Sequence, residues 1–111
     1  MNLSSLVHPK SIVVVGASND VSKPGGKVLK NILDNHFPGS IYGINPKEKE
    51  VLGVPCFASA GDLPAGVDLA ILSIPAPKVI TAVEELIEKA SCRSFIVLSA
   101  GFQETGHEGA A

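Results

Sequence analysis

The segment Gly16-Ala17-Ser18-Asn19-Asp20-Val21, followed shortly by Gly25-Gly26, brings together the residue types that hold a phosphate. Glycine at position 16 suits a tight turn, and Ser18 and Asn19 carry hydroxyl and amide donors. A helix starting near Gly25 or Gly26 would offer free N–H groups and a dipole that favours an anion. The spacing is not that of the common dinucleotide turn. In Gly-x-Gly-x-x-Gly counted from Gly16, the second glycine falls at Ser18 and the third at Val21, so two of three positions fail and a standard NAD turn is disfavoured. Gly16 and Gly25 also suit a purely structural duty, in which they let strand and helix pack closely.

A second position of interest is Asn45-Pro46-Lys47, where an NAD site would carry Asp or Glu for the ribose hydroxyl. A lysine there can pair, as a point charge, with a ribose-bound phosphate such as the 3′-phosphate of coenzyme A or the 2′-phosphate of NADP. The alternative is a solvated lysine in the run Lys47-Glu48-Lys49-Glu50. Pro75-Ala76-Pro77 forms a rigid, uncharged elbow with no amide donor at either proline. It suits an apolar shelf for a flat ring or a pantetheine arm, and equally a strand stop joined to a helix start.

Catalytic constellations are missing. The three histidines are His8 before Pro9, His36 at a predicted helix C-terminus and His107 in a glycine-rich tail, and no Ser/His/Asp set, carboxylate pair or metal cluster joins them. Cys56 and Cys92 lie far apart without a Cys-x-x-Cys spacing, so both read as reduced structural thiols.

The elements that must position these loops follow from hydrophobic periodicity. Continuous apolar runs predict strands over Ile12 to Gly16, Ser40 to Ile44, Leu69 to Ile74 and Phe95 to Leu98, with a short extended segment from Leu52 to Phe57. One helix opens at Gly25-Gly26, turns Val28, Leu29, Ile32 and Leu33 inward, and ends between Asn35 and Gly39. Ser59 caps a single helical turn ending at Leu63-Pro64. A longer helix follows Pro77 with Val79, Ile80, Val83, Leu86, Ile87 and Ala90 on its buried face and a Glu85–Lys89 pair outside. Strands alternating with helices predict a Rossmann-like, doubly wound parallel α/β sheet. Right-handed crossovers then bring the loops 17–26, 45–49, 74–78 and 99–104 to one sheet edge. After Gly101-Phe102 such a fold would add another helix and strand, so residues 1–111 read as one domain of a longer chain.

The 111 residues are 45% hydrophobic, enough for one ordinary core. With 9 Lys and Arg against 11 Asp and Glu, no basic field invites nucleic acid or a membrane surface. No charged n-region precedes an apolar core, and no apolar run approaches the ~18 residues of a membrane span. A cytoplasmic protein is the expectation.

Six motifs in order carry a family resemblance: Ile12-Val13-Val14-Val15-Gly16-Ala17-Ser18, Lys23-Pro24-Gly25-Gly26, the run from Phe37 to Lys47, Gly53-Val54-Pro55-Cys56-Phe57, Ser73-Ile74-Pro75-Ala76 and Ser99-Ala100-Gly101-Phe102. Together they resemble the CoA-binding domain of NDP-forming acyl-CoA synthetases and, more distantly, the N-terminal domain of the succinyl-CoA synthetase α subunit. The resemblance implies coenzyme A as ligand, with acyl-CoA as a partner in the reaction. It implies that Ser18 to Val21 lines the phosphates and that Lys47 meets the phosphorylated adenosine end. Pro75 and Ala76 would lie along the cofactor, and Ser99, Ala100 and Gly101 would hold the pantetheine side near the thiol. Ser18-Asn19 stands where the succinate enzymes carry Thr-Gly, and Ser99-Ala100-Gly101 replaces their Thr-Glu-Gly type of turn. Those departures fit the acetate-type or broad acyl branch. In such ligases a histidine carries phosphate between an acyl phosphate site and an ATP-grasp nucleotide site, and the resemblance assigns that histidine to a following domain. This segment should bind rather than catalyse. Two other readings remain: a non-catalytic CoA-sensing module, alone or fused to an acyltransferase, and an NADP-binding oxidoreductase domain.

Overall fold

The computed structural model describes residues 10–63 and 66–98. At its centre lies β1 (Ser11–Val15), in which Val13 and Val14 are wholly buried because both faces of the strand are covered. On one side β1 pairs in parallel with β2 (Ser40–Ile44), which pairs in parallel with β4 (Val54–Phe57). On the other it pairs in parallel with β5 (Leu69–Leu72), and β5 with β6 (Ser94–Val97). The six-stranded order is β3-β4-β2-β1-β5-β6, where β3 (Glu50–Val51) is the one antiparallel member. The Rossmann-like doubly wound α/β sheet predicted from periodicity is therefore present.

The segment from Leu52 to Phe57 is more than an extended stretch. Val51 faces Val54 across the two-residue turn Leu52-Gly53, whose φ values are +52° and +83°. Positive φ at both central residues matches the twist that a two-residue hairpin demands. Glycine adopts it freely; Leu52 is held there by its N–H, which donates to Asn19 Oδ1 at 3.0 Å.

Helix α1 (Pro24–Asp34) covers one face of the sheet. Its Leu29, fully buried, packs with Val28, Ile32 and Leu33 against Val14, Val51, Val54 and Cys56. Helix α2 (Ala76–Ala90) covers the other face through Val79, Leu86 and Ala90, against Val13, Val15, Ala70 and Leu72. The apolar face of α2 is narrower than its sequence suggested: Ile80 is 72% exposed and Ile87 53% exposed. Residues 80 and 87 sit one position on from Val79 and Leu86, about 100° round the helix. The face that meets the sheet is completed by the half-buried Ala82 and Val83 instead. The ion pair seen among the described residues is Lys30–Asp34 on α1, at 2.6 Å, rather than Glu85–Lys89. A 3-10 turn spans Ala60–Asp62 behind Ser59, whose hydroxyl bonds the Asp62 carboxylate and no backbone N–H.

Candidate functional site

In this order the chain leaves β1 toward β2 and β4, then returns to the far side of β1 to make β5 and β6. The winding reverses between β1 and β5, and an open α/β sheet binds its ligand beyond the carboxyl ends of the strands at that point. Gly16 stands there with φ +89°. Its N–H donates to the Ile44 carbonyl at 3.1 Å, and the Ser73 N–H donates to the Val15 carbonyl at 2.8 Å, so all three central strands are tied at one level.

The turn is built backbone on backbone. A Cβ on Gly16 would strike the Ser73 carbonyl oxygen, and one on Gly25 would strike the carbonyl oxygen of Gly16. A Cβ on Gly26 would collide with the Asp20 carbonyl and come within 2.9 Å of the Ser18 carbonyl oxygen. Close strand-to-helix packing is thus a real duty of Gly16 and Gly25, and it draws the start of α1 onto the end of β1. The first helical bond runs from the Lys27 N–H to the Lys23 carbonyl at 2.8 Å, and no side chain caps the helix. The N–H groups of Gly25 and Gly26 precede that bond and are the orphan donors of a helix start, which suits them to an anion.

Within the loop, Ser18 Oγ accepts the Asp20 N–H at 3.0 Å and keeps its own proton to donate. Asp20 shapes the loop: its Oδ1 accepts both the hydroxyl of Ser22 at 2.5 Å and the Ser22 N–H at 2.9 Å. Those bonds, the hydroxyl first, hold the Asp20 carboxyl below its ordinary value, with the Lys23 charge contributing in the same direction. Asn19 uses its carbonyl on Leu52, so the NH₂ donors, the half of the amide that an anion needs, are not consumed by that bond. Val21 is exposed at the loop tip.

The loop after β2 is joined to this turn by a contact that sequence reading did not single out. Asn45 Nδ2 donates to the Ala17 carbonyl at 2.9 Å, while Asn45 Oδ1 accepts the N–H groups of Lys47 at 2.7 Å and Glu48 at 3.0 Å. Lys47 is exposed and lines a depression of about 360 Å³ with Asn45, Lys49, Phe57 and Asp62. Cys56, also on that wall, is buried, and burial pushes its thiol upward, so it stays protonated. Glycine at position 43 makes room for it, since a Cβ there would lie 2.5 Å from Cys56 Sγ.

On the β5 side, Pro75 and Ala76 begin α2 and line a second depression of about 380 Å³ with Pro24, Ser73, Ile74, Pro77 and Leu98. Pro24 belongs to the start of α1, so the first and third loops do meet. Leu98 donates its N–H to the Leu72 carbonyl at 2.7 Å and reaches the same depression. Ser99, Ala100 and Gly101 lie outside the described residues, as do His8 and His107. His36, at the C-terminal end of α1 with φ +56°, is exposed and stands apart from the loop cluster. Among the described residues no three His, Cys, Asp or Glu side chains group as a metal site, and no helix is long and apolar enough to cross a membrane.

A tight turn with free helix-start N–H groups at the switch point of a doubly wound sheet, with a lysine loop on one flank and an apolar elbow on the other, is the architecture of a Rossmann-like domain suited to a phosphorylated cofactor. Residues 10–110 match the family described as CoA binding domain, and the chain belongs to that family. It is 44% identical over 108 residues to an ADP-forming acetate–CoA ligase of Archaeoglobus fulgidus, covering 97% of this chain and 15% of the ligase. It also resembles the solved acetyl-coenzyme A synthetase 1 of Candidatus Korarchaeum cryptofilum in complex with phosphate and ADP, with TM-score 0.86 and 39% identity over 96% of this chain and 23% of that one. A conserved hypothetical protein of Pyrococcus furiosus shares the fold with TM-score 0.71 and 28% identity, over 80% of this chain and 74% of that one. The chain thus spans only about 15% to 24% of the length of the ligases and ligase subunits it matches and corresponds to their CoA-binding domain. Coenzyme A is its ligand, which sets the NADP reading aside.

Proposed function

We propose that this chain carries the coenzyme A end of an NDP-forming acyl-CoA ligase of acetate-type or broad acyl specificity, working in the cytoplasm. The observation supporting this reading is the three-part edge: a phosphate-holding turn at β1, the Lys47 loop beyond β2, and the Pro75-Ala76 shelf beyond β5. An extended cofactor laid across these strand ends would set its diphosphate against Gly16, Ala17, Ser18, Asn19 and Val21 and the N–H of Gly25. Asp20 would contribute by shaping the turn, since its own N–H and carboxylate are used within it. Lys47 would pair with the ribose 3′-phosphate. The pantetheine arm would cross Pro75 and Ala76 toward Ser99, Ala100 and Gly101, presenting the thiol at the β6 side. In that role the domain binds and orients. The thiol sulfur displaces phosphate from an acyl phosphate formed elsewhere in the ligase, where the phosphohistidine and ATP-grasp domains would lie. A stand-alone CoA-sensing module is the second reading, favoured by the likeness to a Pyrococcus protein of which this chain covers 74%.

A thermal-shift titration tests the ligand assignment on this chain. Coenzyme A at 100 times its dissociation constant adds about 2.7 kcal/mol, which for a domain of this size raises Tm by roughly 10 °C. NADP and NAD at the same concentration should leave Tm unchanged; stabilisation by NADP alone would sink the assignment.

A further inference from the structure

We infer that Asn45 is a positioning residue for coenzyme A, locking the loop that carries Lys47 to the phosphate-holding turn; this rests on the reading of Lys47 as partner of the ribose phosphate. Asn45 follows directly on β2 and is half-buried. Its side chain engages both loops at once. The Nδ2 donor holds the Ala17 carbonyl at 2.9 Å, and the Oδ1 acceptor gathers the N–H groups of Lys47 and Glu48 at 2.7 and 3.0 Å. Its own N–H donates to the Phe57 carbonyl at 3.0 Å, so the residue is fixed to β4 as well.

Only a carboxamide of this length satisfies the set. The Ala17 carbonyl needs a donor and the two loop amides need an acceptor, and asparagine supplies one of each from a single planar group. Pro46 adds to the arrangement: a residue before proline is kept extended, and Pro46 has no N–H to compete for Oδ1. Lys47 itself is exposed, and the next backbone anchor of the loop comes two residues on, where the Lys49 carbonyl accepts the Cys56 N–H at 2.8 Å; at Lys47 the backbone bond is the one to Asn45 Oδ1. The Asn45 amide is therefore the direct link between the turn and the backbone of Lys47, and it helps set the distance between an anion at the one and an anion at the other. If the loop is released and holds its binding position about a tenth of the time, affinity for a ligand that uses both falls about tenfold.

The substitutions separate the two halves of the amide. Asn45→Asp keeps an acceptor for Lys47 and Glu48 but sets an oxygen against the Ala17 carbonyl, breaking only the bridge. Asn45→Ser is the milder companion should the aspartate variant fold poorly, which a melting curve reports. Calorimetric titration of the 111-residue chain with coenzyme A and with dephospho-coenzyme A supplies the readout. We expect Asn45→Asp to weaken coenzyme A about tenfold and dephospho-coenzyme A about threefold or less. In a Lys47→Ala background the aspartate should weaken both ligands by the same small factor. If Asn45→Asp weakens coenzyme A equally with and without Lys47, the residue only supports the fold and the proposal is overturned. If Lys47→Ala alone weakens both ligands equally, the lysine reading itself fails, a result seen without any change at Asn45.

Discussion

Replacing Gly25 by alanine tests whether the contact between the start of α1 and the end of β1 builds the site. The added methyl would strike the carbonyl oxygen of Gly16, which is backbone and cannot rotate away. Overpacking of this kind costs about 3 kcal/mol at the upper end of its usual range, because helix and strand must separate. Alanine also favours the helix over glycine by about 1 kcal/mol, leaving a net loss near 2 kcal/mol. For a domain of 111 residues that lowers Tm by roughly 8 °C. Separation should also draw the N–H groups of Gly25 and Gly26 off the anion, so coenzyme A binding falls at least about tenfold, the scale of one lost charge-assisted hydrogen bond. Gly53→Ala is the control. It has positive φ but nothing within reach of its Cβ, so it should cost about 1 kcal/mol of strain and leave coenzyme A affinity unchanged. Differential scanning calorimetry and isothermal titration read both quantities. A Gly25→Ala protein that melts and binds as the parent does would refute the reasoning.

The exposed flank of α2 predicts a sharp contrast between neighbours. Leu86→Ala should cost about 2–5 kcal/mol, whereas Ile87→Ala should stay within about 0.5 kcal/mol in urea unfolding; equal costs would restore the wider buried face. Burial raises the thiols of both Cys56 and Cys92 above the ordinary 9.0. The folded state then holds those protons more tightly than the unfolded chain. Their contribution to stability is whole below pH 9 and is lost as pH rises through the raised values, which pH-dependent unfolding should register. The same protonation makes native-state alkylation by iodoacetamide at neutral pH slow until denaturant is added; rapid modification of the folded protein would contradict it.

Much of the candidate site's placement was legible because the loops sit where strand runs end. Val13 to Val15 and Leu69 to Leu72 read as buried strands from composition alone, and once the winding is right-handed their ends must lie together. The hairpin of β3 and β4 was less visible, since β3 has two residues and Leu52 is held by Asn19, a residue far from it in sequence. On α2, Ile80 and Ile87 have the same spacing as Val79 and Leu86, so periodicity cannot choose between faces a single residue apart; packing against Ala70 and Leu72 does. Asn45 showed one local sign, an Asx-type residue ahead of proline, but its bond to Ala17 exists only after β1 and β2 pair.

The glycine-on-glycine contact at Gly16 and Gly25 has an entropic consequence. No rotamer lies between the helix start and the turn, so the helix-start N–H groups are in place before a ligand arrives, and an anion bound there would cost little freedom. Lys47 is the opposite case, a long exposed side chain that must be ordered at each encounter. The two ends of one cofactor would then be recognised with unlike thermodynamics: a stiff cradle for the diphosphate, and a mobile charge whose attraction is offset by its own ordering.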